Sequence, residues 1–170
     1  MGYIRKRRRK SIKEIARLQN ENRSLLEQLD SLKVLVPVGF ENLQQGKDKI
    51  QVSYRLRSWS SNQSNTCSKE FTWNKLFGII APHLLGECSE YDMNNALEEH
   101  ISNIIRKSTK KEELYCDITK DSFGQIKVQF KALGLIKISD KKHSGANRTY
   151  WTLTPYGDLV ITQLIAKPKI

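Results

Sequence analysis

DITKDSFGQIKVQFKALGLIKISDKKHSGANRTYWTLTPYGDLV, residues 117–160, orders a capped helix, a glycine stop, a strand, a polar tip, a second strand and a new helix. Thr119 is a natural N-cap, and Asp121 places a carboxylate in the first turn, where it suits the helix dipole. Phe123, Ile126, Phe130 and Leu133 recur at helical spacing, and Gly134 stands where a left-handed C-cap is expected. Residues 135–139 are β-prone, 140–148 are rich in turn formers, and 149–154 return as a strand. Pro155 is placed to open a last helix over 156–166.

Working outward, Ser89 with Asp92 resembles a capping box that starts a helix from Glu90 to about Lys107. Its apolar face is Met93, Ala96, Leu97, Ile101 and Ile104. Thr72 is placed to cap an earlier helix from Trp73 to about Leu85, which Pro82 must bend or end. Residues 106–113 read as a solvated loop and 114–118 as a short strand. Before these, Ile50, Val52, Tyr54 and Leu56 alternate with Gln51, Ser53, Arg55 and Arg57, the pattern of a half-buried strand. The Ser- and Asn-rich loop 58–65 turns it into a hairpin. The expected fold is α+β: a winged-helix-like domain over 48–166 with an N-terminal β-hairpin, joined by a 37–47 linker to a short coiled-coil helix over 14–36. A basic tail, 1–13, comes first.

The heptad frame of that helix puts Ile15, Asn22, Leu29 and Val36 at a, and Leu18, Leu25 and Leu32 at d. Leucine at d with one asparagine at a favours a parallel dimer in fixed register. A homodimer through Ile15, Leu18, Asn22, Leu25, Leu29 and Leu32 is therefore expected. The alternative is a helix folded back on its own domain through Leu26.

Charge points to partners. The 170-residue chain carries a net +11, with 38% apolar and 28% charged residues. Residues 1–13 hold seven basic and no acidic side chains, 14–105 nine and twelve, and 106–170 thirteen and six. Positive ends around a mildly acidic middle favour a polyanion. The three cysteines lack CxxC spacing, so neither a disulfide framework nor a zinc ribbon is indicated. No apolar run suits a membrane span, and no signal-peptide core is evident, so a cytoplasmic protein without integral membrane association is expected.

Three blocks, Phe71–Glu90, Ser122–Ile136 and Tyr150–Val160, resemble the C-terminal region of bacterial domain-of-unknown-function 4062 proteins. The likeness covers roughly residues 48–166. In that family an α/β domain, similar to Toll/interleukin-receptor-like and deoxyribosyltransferase-like folds, comes earlier, and Met1–Arg5 look like its tail end. The resemblance implies a module that partners such an effector domain, with any nucleotide-processing activity residing elsewhere.

As nucleic-acid contacts, the candidates are Arg5, Lys6, Arg7, Arg8, Arg9 and Lys10 in the tail, Lys120, Lys127 and Lys131 on the third helix, and Lys141, Lys142 and Arg148 at the tip. Against base reading stand Val128, which points away from the core face, and the lack of any arginine on that helix. His100 sits on an apolar stripe and reads as a hydrogen-bonded core histidine. His83, Cys88 and Cys116 match no metal-ligand spacing, and no phosphate loop, nucleophile elbow or carboxylate pair occurs. No catalytic residue, metal or cofactor is assigned. The expected function is a non-enzymatic, dimerising module that binds duplex nucleic acid or regulates a larger system. The alternative is protein–protein interaction with an α/β effector.

Overall fold

A computed structural model describes residues 13–24, 39–140 and 148–167. The tail cations 5–10, the heptad leucines at 25, 29 and 32, and Lys141 and Lys142 lie outside the described residues. The chain divides into two compact units, Met1–Val36 and Pro37–Ile170. In the first, α1 (13–24) is helical, with Ile15 and Leu18 exposed, Asn22 exposed beside them, and Glu14 paired to Arg17 at 2.9 Å. None of the described helices is long and apolar enough to cross a membrane.

The second unit is α+β, with two three-stranded antiparallel sheets. Its elements are β1 (Lys49–Ser58), β2 (Ser61–Thr72), α2 (Trp73–Ile80), β3 (Cys88–Ser89), α3 (Glu90–Thr109), β4 (Leu114–Ile118), α4 (Lys120–Ala132), β5 (Ile136–Ile138), β6 (Tyr150–Leu153) and α5 (Pro155–Ile165). Strand order is β2-β1-β4 in one sheet and β3-β6-β5 in the other.

Four of the helices start on a hydroxyl cap. Thr72, Ser89, Thr119 and Thr154 accept from the backbone N–H of Lys75, Asp92, Ser122 and Gly157. Each cap satisfies a donor that the first helical turn leaves without a carbonyl. At the far end of α4, Gly134 takes φ 68° and its N–H donates to Lys131 O at 3.0 Å. Pro82 ends the regular part of α2, and the chain continues as a 3-10 turn, Ala81–Leu84.

Two segments and one histidine depart from the sequence expectation. The expected loop 58–65 is mostly strand: the β1–β2 ladder runs from Lys49↔Thr72 to Ser58↔Ser61, leaving Trp59 and Ser60 as the turn. Serine and asparagine are tolerated there because β2 is a solvent-facing edge, where backbone pairing to β1 decides the structure. The expected loop 106–113 is shortened, since α3 continues to Thr109 and ends on Lys110 with φ 57°. His100 is not a hydrogen-bonded histidine: its Nε2 is buried without a partner.

α3 lies along the outer edge of β4 and takes the place of a fourth strand. Glu98 Oε1 accepts from Ile118 N at 2.8 Å, Ser102 Oγ accepts from Cys116 N at 3.0 Å, and Arg106 Nε donates to Leu114 O at 2.8 Å. The residues match i, i+4, i+8 on the helix to every second residue of the strand. Four helical residues advance about 6 Å and two strand residues nearly 7 Å, so the two rows stay in phase. Burial pushes the Cys116 thiol up to about 11, which keeps it protonated and inert.

The core is a single cluster. Ile50, Val52 and Tyr54 of β1 meet Leu76, Phe77 and Ile80 of α2, Met93, Leu97 and Ile101 of α3, and Ile126 and Phe130 of α4. Phe40 and Leu43 of the preceding segment also pack against it, and Gln129 Nε2 donates to Gln44 O at 2.6 Å.

Candidate functional site

α4 faces the core with Ser122, Ile126 and Phe130, all buried, and with half-buried Phe123. At 100° per residue the opposite side carries Asp121, Gly124, Gln125, Val128 and Ala132. Val128 is 64% exposed there, while Gly124 has open space around its Cα. A lysine flank, Lys120 and Lys131, borders this face and is exposed.

Lys127 falls on the same flank but is drawn inward. Its Nζ is 2.7 Å from Glu90 Oε1, in the first turn of α3, and 5.6 Å from the ring centroids of both Phe123 and Trp151. Glu90 Oε1 also accepts from Trp151 Nε1 at 3.0 Å. One carboxylate thus ties the start of α3, the middle of α4 and β6 together, in a position where the α3 dipole favours a negative charge. Both rings lie at the outer limit of cation–π distance, so the carboxylate dominates. Lys127 is consequently a positioning residue for α4 in this structure, and Lys120 and Lys131 are the flank's accessible cations.

Arg148 is exposed where the chain enters β6. Lys137, on β5, is engaged by Asp140 at 2.6 Å. Glu90→Ala is expected to lower stability by about 1–2 kcal/mol, because it leaves an ammonium and an indole N–H without their acceptor. Urea denaturation measures the loss, and the Trp151 indole N–H resonance reports whether the bond itself is gone. An unchanged midpoint together with an unmoved resonance would show that the carboxylate does not hold α4.

Of the tryptophans, Trp73 and Trp151 are core residues, whereas Trp59 at the β1–β2 turn is 78% exposed and meets Tyr115 edge-on at 5.7 Å. Glu98 has its carboxyl pKa raised, first by burial and also by Asp117, against the hydrogen bonds from Ile118 and Asn94. That carboxylate serves the β4 edge. Among the described residues no cluster of three or more His, Cys, Asp or Glu is arranged to hold a metal ion.

The Glu90–Lys127–Trp151 node was not evident in the sequence, since its members are 37 and 61 residues apart. A glutamate in the first turn of a capped helix was the one visible sign, and it has a sufficient local reason there. Comparison with protein-family models, curated proteins and solved structures finds no match to this chain.

Proposed function

We propose that the chain is a non-enzymatic, winged-helix-like recognition module that docks a protein partner through the outward face of α4. The helix order α2, α3, α4 followed by the β5–β6 ribbon supports the winged-helix reading, as does the β3-β6-β5 strand order. In such a domain the third helix is the element presented to a partner. The observation that carries the choice of partner is the composition of that helix's outer face. Asp121, Gly124, Gln125, Val128 and Ala132 offer a shallow surface with one carboxylate and no cation, and Lys127 is turned away from it toward Glu90. Such a face suits close packing against protein better than reading base edges, which relies on arginine, lysine and amide side chains.

A parallel coil through Ile15, Leu18 and Asn22 would make the module two-headed and raise its avidity for a paired partner. The partner class that fits the family resemblance is an α/β effector domain.

The second reading is duplex nucleic acid, favoured by the exposed Lys120, Lys131 and Arg148 and by the 5–10 cation run. The two separate in one experiment. A photo-crosslinking amino acid at Gln125 is expected to give a discrete protein adduct in cells, abolished by Val128→Glu. Binding of a short labelled duplex at low salt should be little changed by that substitution. If Lys120→Ala with Lys131→Ala removes duplex binding and position 125 yields no adduct, α4 serves nucleic acid instead.

A further inference from the structure

An open groove of about 740 Å³ runs between α2, α3 and the end of α5. Ile79, Ala96, Leu164 and Ile165 supply an apolar wall, and Lys75, His83 and His100 supply nitrogen donors. Leu164 and Ile165 are 39% and 52% exposed, although α5 has a buried face available through Gly157 and Ile161. Lys75 is exposed, and its ammonium has no carboxylate partner among the described residues. Among the described residues Glu99 is the only carboxylate on the lining, and its Oε1 is occupied by Arg106 Nη1 at 3.2 Å and Asn103 Nδ2 at 3.1 Å.

His100 defines the polar end. Its Nε2 is sealed from solvent without an acceptor, so a proton there would bury an unsatisfied N–H. Burial, followed by the charges of Lys75 and Lys107, holds its pKa below the ordinary imidazole range. The ring is therefore neutral near pH 7 with its proton on Nδ1, which leaves an N–H donor rather than a fixed charge. The cations that depress it also mark the local potential as positive.

We propose that this groove is a binding site for a small organic anion, with the anionic head on Lys75, His83 and His100 and a compact apolar body against Ile79, Leu164 and Ile165. The head chemistry is shared by carboxylates and phosphate monoesters. A neutral donor beside an unpaired ammonium accommodates either, and the apolar wall rejects a bare inorganic ion. The site is separate from the outward face of α4 and stands whether or not that face docks protein.

Titration of the full chain with hexanoate and with phenyl phosphate, followed by methyl and imidazole NMR, tests the assignment. Saturable shifts are expected at Ile79, Leu164, Ile165 and His100 for at least one probe, and the probe that saturates at lower concentration identifies the head group. Inorganic phosphate and hexanol should bind at least tenfold more weakly, and Lys75→Gln should weaken the organic anion roughly tenfold. Lys75 is exposed, so that variant is expected to fold, which a thermal melt verifies. Non-saturating shifts, equal binding of inorganic phosphate, or an undiminished response in Lys75→Gln would each overturn the proposal.

Discussion

Gly157→Ala is expected to lower the melting temperature by roughly 10 °C or more, a loss of about 3 kcal/mol. A Cβ on Gly157 would stand 2.0 Å from Leu135 O and 2.9 Å from Leu135 C, both backbone atoms. Three hydrogen bonds fix that closeness. Thr154 Oγ1 donates to Gly134 O at 2.5 Å while accepting from Gly157 N at 2.9 Å, and Thr154 N donates to Leu135 O at 3.0 Å. The N-cap of α5 is thus bound to the turn that ends α4, and the first turn of α5 is pressed onto the Leu135 peptide.

Neither side can yield without breaking the cap or the β5–β6 entry, so the clash cannot be relieved by a rotamer change. Gly124→Ala is the matched control. It lies in α4 with nothing within 4 Å of the new Cβ, so it should stabilise by roughly 0.5–1 kcal/mol through helix propensity. Scanning calorimetry on the two variants gives opposite signs if the packing is as described. Equal, small effects would mean that α5 does not sit on Leu135. Gly124→Ala also adds a methyl group to the proposed docking face, so greater stability with weaker docking would place the contact at that residue.

Phe130→Ala is expected to cost roughly 3–5 kcal/mol, enough to unfold a domain of ordinary stability. Phe130 is fully buried, edge-on to Trp73 at 5.7 Å and tilted against Phe77 at 5.2 Å. These three rings join α4 to α2. A cavity of about 100 Å³ already adjoins them, lined also by Leu133, Leu135 and Tyr156. Truncation would enlarge that cavity rather than let the walls collapse, which places the cost toward the upper end. The loss of urea midpoint at unchanged slope is the measurement, and a loss under 1 kcal/mol would remove Phe130 from the centre of the core.

The helices were legible because their causes are local. Each hydroxyl cap and the N–H that donates to it lie three residues apart, as with Thr119 and Ser122, and Gly134 follows directly on the α4 stripe. The face of α4 also followed from spacing alone, with Val128 outward and Phe130 inward. What spacing could not show is where a side chain finds a distant partner. Lys127 belongs to the same angular stripe as Lys120 and Lys131, but only the tertiary fold brings Glu90 and Trp151 to it. Residues 61–65, the first part of β2, carry serine and asparagine, which say turn, while their strand state comes from the ladder to β1. The two-residue strand β3 has no pattern of its own to read. For His100, the apolar stripe told correctly of partial burial and wrongly of a bonded nitrogen, because burial and satisfaction are separate properties.

The substitution of α3 for a strand beside β4 gives the first sheet a direction of growth. Glu98, Ser102 and Arg106 occupy backbone groups that an incoming strand would need, so extension on that side requires displacing a helix. The twelve-residue β2 remains as the edge onto which another strand can add. Any continuation of this sheet between two copies would join β2 to β2 across a two-fold axis, and the resulting six-stranded sheet would close on itself as a pair instead of propagating into a fibre. Lys69 and Glu70, both exposed on β2, lie on that seam. A charged edge of this kind resists indiscriminate strand addition.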